Sequence, residues 1–201
     1  MNVYVESNFV LELALIQEQY ASCEEILQLC EASRIRLVIP AYSLAEPYET
    51  LTRRHKQRRR MKQELDAEFR QLSRTASLSE QLAGFRDLTT LLISAAQQES
   101  QRLESVRSRL IDVAEVVPLG TSVLAAATQY QRTHGLSAQD AIVYSSVLTH
   151  LKRVHASENC FLNRNATDFD DQNVVEELAG HNCQLFLQFD AGCSFIRGAL
   201  R

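Results

Sequence analysis

MNVYVESNFVLELAL (residues 1–15) carries a short apolar run, Val3, Tyr4 and Val5, followed at once by Glu6, Ser7 and Asn8. From Phe9 onward the apolar residues Val10, Leu13 and Ala14 recur at helical spacing, which predicts a helix from Ser7 to about Tyr20. A carboxylate and an amide therefore stand where a strand hands over to a helix. If that strand is central in a sheet, its end is shielded from water. An ionised carboxylate there costs several kcal/mol unless it is paired or holds a cation. Glu6 is thus a residue whose presence asks for a partner.

The same alternation continues outward. Tyr20 is followed by a second helix over about Ser22 to Ala32, and then by RLVIP (residues 36–40), a short apolar run ended by proline, as a buried parallel strand would be. A long helical pattern from Ala41 to about Ser73 admits Pro47 only because it lies near the first turns. SLSE (residues 77–80) is a capping-box signature that restarts a helix running to about Asp112. VVPLG (residues 116–120) reads as a third strand, and Thr121 to His134 as a helix closed by Gly135. Ser137 caps a further helix to about Arg153; Asn159 to Asn165 and Cys183 to Gln188 read as strands four and five. Strands separated by helices predict an α/β fold with a mainly parallel sheet. One domain over residues 1–201 is expected, with a helical hairpin inserted over about residues 48–112.

Composition narrows the function classes. The chain has 201 residues, 45% apolar and 23% charged, three Pro and no Trp, which argues against disordered, collagen-like and disulfide-scaffold classes. No apolar stretch approaches a membrane span, and the first residues lack the pattern of a secretory leader, so a cytoplasmic protein without a membrane partner is expected. The five cysteines, Cys23, Cys30, Cys160, Cys183 and Cys193, show no zinc spacing. Cys23 and Cys30, seven apart on one helix face, read as buried thiols. The histidines form no nucleophilic or ligand-type constellation.

In open α/β sheets, ligands bind beyond the carboxyl ends of the strands. That rule gathers the acids. Glu6 ends strand one, Glu46 lies about two turns beyond strand two, and Asn165, Asp168, Asp170 and Asp171 follow strand four. Asp140 opens a helix that can start at the same edge. Carboxylates converging from different strands repel one another, and a hard divalent cation, Mg²⁺ or Mn²⁺, relieves that repulsion. Such an ion suits phosphodiester hydrolysis. Each residue also has a purely structural explanation. Ser137-x-x-Asp140 is a capping box in which Asp140 bonds the Ser137 amide, Glu46 can be a solvated helix residue, and NATDFDD can be an Asx-rich loop capping the helix near Val174 to Leu178. Their joint placement at one edge is what points to a site.

Four stretches, VYVESNFVLEL, AYSLAEPYETL, GLSAQDAIVYSSVLTHL and CFLNRNATDF, together resemble PIN-domain ribonucleases, the fold of the VapC toxins. The resemblance implies a three-layer α/β/α fold with a five-stranded parallel sheet in the order 3-2-1-4-5. It also implies an Mg²⁺- or Mn²⁺-dependent endoribonuclease acting on RNA, and leaves open a toxin-like role and an antitoxin or other protein partner. Carried onto this chain, Glu6, Glu46 and Asp140 are the catalytic acids and hold the metal, Asn165 takes the fourth position with Asp168 beside it, and Asn8 orients the first carboxylate. Two positions depart from the family pattern. Glu6 stands where an aspartate is usual, and Asn165 where an acid is usual.

Net charge is −4, yet Arg53, Arg54, Lys56, Arg58, Arg59, Arg60 and Lys62 concentrate seven of the 21 basic residues in one helical stretch. That density suits contact with an RNA backbone. Two rival expectations follow. The chain can be a PIN-like module, weak in metal binding, that docks RNA or a protein through the basic helix. Alternatively the hairpin, with Leu88, Leu91, Leu92, Ala95 and Leu103 at helical spacing, can be the dimerisation element of a homodimer.

Overall fold

The computed structural model describes residues 1–75, 77, 85–154, 158–165, 169 and 171–201. Five strands, β1 (Asn2–Val5), β2 (Arg36–Pro40), β3 (Glu115–Val117), β4 (Asn159–Leu162) and β5 (Cys183–Phe186), form one sheet in the order β3-β2-β1-β4-β5. All four pairings are parallel, with Val3 opposite Leu37 and Cys160, and Tyr4 opposite Val38 and Phe161. The expected order is the observed one. β1 and β4 are buried at every position, because helices cover both faces of the sheet, and this is why Val3–Val5 and Cys160–Leu162 read as apolar runs; the asparagines that open the strands, Asn2 and Asn159, bond each other at 3.0 Å.

The helices are α1 (Ser7–Leu15), α2 (Tyr20–Glu31), α3 (Ala41–Leu72), α4 (Phe85–Val113), α5 (Thr121–Thr133), α6 (Ala138–Arg153), α7 (Gln172–Ala179) and α8 (Phe189–Ala199). Side chains alternate across each strand, so the sheet feeds two cores. Val3, Leu37 and Cys160 meet Phe9 and Leu13 of α1, Ile26 of α2, Leu110 of α4 and Ile196 of α8. On the other face Tyr4, Val38 and Phe161 meet Ala127 of α5, Tyr144 and Val147 of α6 and Val174 of α7. The result is the three-layer α/β/α arrangement. Gly135 follows α5 with φ +66°, which favours glycine, and α8 approaches β4 so closely that a Cβ on Gly192 would require the Leu162 side chain to shift.

α3 and α4 run antiparallel. Tyr48 hydroxyl donates to Glu104 at 2.6 Å, and further out Arg58 donates to Glu99, also at 2.6 Å. Pro47 is the seventh residue of α3, close enough to the helix start to be accommodated. The base of the pair belongs to the main core through Leu51, Leu103, Val106 and Leu110. Leu103, read from its spacing as part of a dimer face, therefore packs inside its own chain, whereas Leu91 is exposed. The side chains of Leu88 and Leu92 lie outside the described residues, as does most of SLSE.

Other boundaries moved for identifiable reasons. The first helix stops at Leu15 instead of near Tyr20, since Ile16 turns into the left-handed region with φ 51°. Its spacing fits a helix, but the Gln17 amide donates back to the Glu12 carbonyl at 3.2 Å and the Gln19 amide to the Glu12 carboxylate at 3.0 Å. Strands four and five end at Leu162 and Phe186, earlier than their apolar runs suggested. Among the described residues no helix is long and apolar enough to cross a membrane.

Candidate functional site

Glu6 is the N-cap of α1. Its Oε2 accepts the Asn8 backbone N–H at 2.8 Å, so the turn that begins the helix also fixes the carboxylate. The side chain is buried, and its Oε1 has no hydrogen-bond partner among the described residues. Burial pushes its pKa up to about 7; the amides of Asn8 and Arg164 pull it down, and the neighbouring Glu46 carboxylate raises it further. Orientation by Asn8 thus comes chiefly from a backbone amide. The first sequence position that demanded a partner has the Asn8 amide on Oε2 and no hydrogen-bond partner on Oε1 among the described residues.

Glu46 enters from α3, which starts directly after Pro40 at the end of β2. Ser7 hydroxyl donates to its Oε2, tying α1 to α3 beside Glu6. Asp140 lies in the first turn of α6. Its backbone N–H donates to the Ser137 hydroxyl oxygen at 3.2 Å, and the Ser137 hydroxyl in turn donates to the Asp140 carboxylate. The capping role and the cleft position therefore coexist in one residue. The bonds seen between the two run through the Ser137 hydroxyl.

Asn165 follows β4, where its amide donates to the side-chain oxygen of buried Asn163 at 2.7 Å and its carbonyl accepts the Phe169 amide at 3.2 Å. Asp168 and Asp170 lie outside the described residues. Asp171 caps α7, accepting the Asn173 amide at 2.8 Å, so the helix-capping reading of the Asx-rich turn holds for that residue.

These side chains share a cleft of about 400 Å³. Glu6, Glu46, Asp140 and Asn165 line it, with Ser7 and Asn8 between them. Arg53 and Arg54 of α3 and Arg164 after β4 line it too. Among the described residues, no group of three or more His, Cys, Asp or Glu is arranged to hold a metal ion. Each acid has one oxygen engaged locally, by Asn8, Ser7 or Ser137.

The basic stretch divides. Arg58 pairs with Glu99 at 2.6 Å, beside His55 at 3.2 Å, and Arg60 with Glu64 at 2.9 Å; Lys62 pairs with Asp66. Arg53, Arg54, Lys56 and Arg59 have no ion pair with any described residue. The charge is thus less evenly available than the composition of the helix suggests. The five cysteines are buried free thiols, as the seven-residue spacing of Cys23 and Cys30 indicated for those two.

Sequence reading missed Ser7, Gln139 and Arg164, all of which line the cleft. One signal for Arg164 was present. Glu12 is a lone acid in the apolar helix FVLELAL, and a buried acid needs a cation; that cation is Arg164.

A protein-family model for the PIN domain matches residues 3–169. No curated protein matches the chain.

Proposed function

The chain belongs to the PIN-domain family, whose members are in general nucleases that use divalent metal ions, and from this premise we propose that it is an Mg²⁺- or Mn²⁺-dependent endoribonuclease acting in the cytoplasm. The observation that carries the reading is the buried Glu6 carboxylate, whose Oε1 has no hydrogen-bond partner among the described residues and which lines a cleft with Glu46, Asp140 and Asn165. A buried carboxylate without a cation is costly, and hard oxygen donors are the chemistry Mg²⁺ and Mn²⁺ select. The donor chemistry of these residues suits such an ion, although among the described residues they are not drawn together as a three-acid metal group.

Glu6, Glu46 and Asp140, with the amide oxygen of Asn165, would hold it, and Asp168 belongs to the same proposal. When bound, the ion supplies Lewis-acid polarisation of the phosphate and an activated water for in-line attack. The chain's own residues do the rest. The Asn8 amide holds one oxygen of Glu6, leaving the other for a cation. Ser7 and Ser137 fix Glu46 and Asp140 in the cleft. Arg53 and Arg54 attract the phosphate backbone to the acids and screen their repulsion, and Lys56 and Arg59 extend that attraction along α3. A toxin-like role is the narrower form of this reading, in which an acidic antitoxin segment covers the Arg53-to-Lys62 face.

A second reading is a PIN-like module that docks RNA or protein without cutting. The missing three-acid metal group among the described residues and the amide at Asn165 favour it. Calorimetric titration of Mn²⁺ into the wild type, Glu6→Gln and Asp140→Asn separates the two. Binding lost in both variants, with RNA cleavage abolished by chelation, is expected for the nuclease. Salt-sensitive RNA binding indifferent to chelator and to both substitutions would sink it.

A further inference from the structure

The acidic cleft has a neighbour. A pocket of about 470 Å³, bounded by Ile16, Gln17 and Glu18, adjoins it, and Arg164 lines both. The Arg164 guanidinium is held by two carboxylates of different character. Glu12 is buried at 1% exposure and accepts the Nη1 proton on Oε1, while its Oε2 accepts the Gln19 amide at 3.0 Å. One buried carboxylate therefore anchors both the arginine and the turn that faces it. Glu18, in that turn, accepts from Nη2 at 2.8 Å, yet its side chain is 83% exposed.

The two bonds differ in what it takes to break them. Separating Arg164 from Glu12 strands a charge in the core. Separating it from Glu18 only returns a surface carboxylate to water, a change of little net cost. The turn itself is held in an uncommon shape by Ile16, a β-branched residue at φ 51°, which is a mark of a conformation the surrounding contacts dictate. A planar donor fork with one side committed and the other covered by an exchangeable carboxylate suits a phosphate, which can accept two parallel N–H bonds.

We infer that Arg164 is a phosphate subsite, binding the backbone phosphate next to the one at the acids, with Glu18 occupying the guanidinium until that phosphate displaces it. This rests on the nucleic-acid reading of the cleft. Arg53 and Arg54 come from the helix after β2, and Arg164 from the turn after β4, the strands flanking β1 on opposite sides. Cationic groups thus stand on both sides of Glu6. The ligand they fit is a ribose-phosphate chain that continues past the cleft in both directions, so that an internal bond lies at the acids.

The test is equilibrium binding of a short fluorescein-labelled single-stranded RNA, in the presence of EDTA, across a salt series. Glu18→Ala is expected to tighten binding by about threefold, the value of an exposed ion pair. Arg164→Lys, which keeps the charge on Glu12 but loses the fork, is expected to weaken binding. Glu176→Ala removes the same charge from α7 and is expected to change nothing. Wild-type binding that Glu18→Ala leaves unchanged, or that Glu176→Ala tightens equally, overturns the subsite while leaving the RNA reading intact. A folded wild type that binds no RNA at all overturns both.

Discussion

The two ends of the sheet treat a carboxylate in opposite ways. At the amino end, Glu115 opens β3 and lies 2.8 Å from Arg36, 3.1 Å from His150 and 3.6 Å from Arg153. The Tyr4 hydroxyl lies 2.8 Å from the other ring nitrogen of His150, Nδ1. At the carboxyl end, Glu6 is more deeply buried, accepts the Asn8 amide on Oε2 and has no ion pair to any described side chain. The first end sets two of the chain's own arginines against its acid, which is what stability alone selects, although Glu115 Oε2 and His150 Nε2 accept or donate no well-directed hydrogen bond among the described residues. The second withholds the cation, and the pKa of Glu6, pushed up to about 7 by burial, records that. An acid the fold leaves uncompensated is one kept for something from outside.

The largest expected effect tests whether that outside group is a metal. Asp140→Asn is expected to cut RNA cleavage by more than about 100-fold in Mn²⁺ while the far-ultraviolet dichroism stays that of the wild type. Gln in place of Glu6 should do the same, whereas Gln in place of Glu115 should leave the rate per folded molecule unchanged. Equal loss from Glu115→Gln would erase the distinction between the two ends.

Stability should move in opposite directions. The folded pKa of Glu6 lies above its ordinary value of 4.5, so between pH 4.5 and about 7 the native protein holds a proton the unfolded chain has released. Stability of the metal-free protein therefore falls as pH rises through that window, by up to about 3 kcal/mol. Glu6→Gln should remove this fall and be the more stable protein at pH above the window, with little difference below it. Glu115→Gln should instead destabilise by about 1–2 kcal/mol, a partly exposed network being worth less than a buried pair. Urea unfolding of both variants across pH measures the contrast. Mn²⁺ should raise the midpoint of the wild type and leave that of Glu6→Gln unmoved.

The smallest effect concerns the basic helix. Replacing Arg53 and Arg54 together by Gln should flatten the log–log salt dependence of RNA binding by about 1.4, two single-strand phosphate contacts. Replacing Arg60, already paired with Glu64 at 2.9 Å, should change the slope by less than half of that. Equal changes would mean the local ion pairs do not compete with phosphate.

Much of this was legible before any coordinates. VYV followed by Glu6 located the central strand and the acid at its end, because a parallel strand covered on both faces must be apolar throughout and a charge after it stands out. The apolar runs at Arg36–Pro40, Asn159–Leu162 and Cys183–Phe186 located three more strands. Helix punctuation was equally clear at Ser137 and Gly135, since capping is a local matter of hydrogen bonds and φ. The end of α1 was not legible. Ile16 obeys helical spacing, and what turns the chain there is the Glu12 side chain bonding Gln19 and Arg164, the latter 152 residues away in sequence.

By itself, the sequence determined the alternation of strands and helices, the acids that follow the strands and the density of positive charge on α3, because periodicity, caps and composition are written locally; the strand order came only from the resemblance to PIN domains. Tertiary structure alone decided which of those charges are spent. It paired Arg58 with Glu99, set Arg36, Arg153 and the His150 ring around Glu115, locked Arg164 to Glu12 and left Glu6 with an oxygen that no described donor satisfies. Pairing energies depend on distance and burial across the folded chain, and neither quantity exists until the chain has folded.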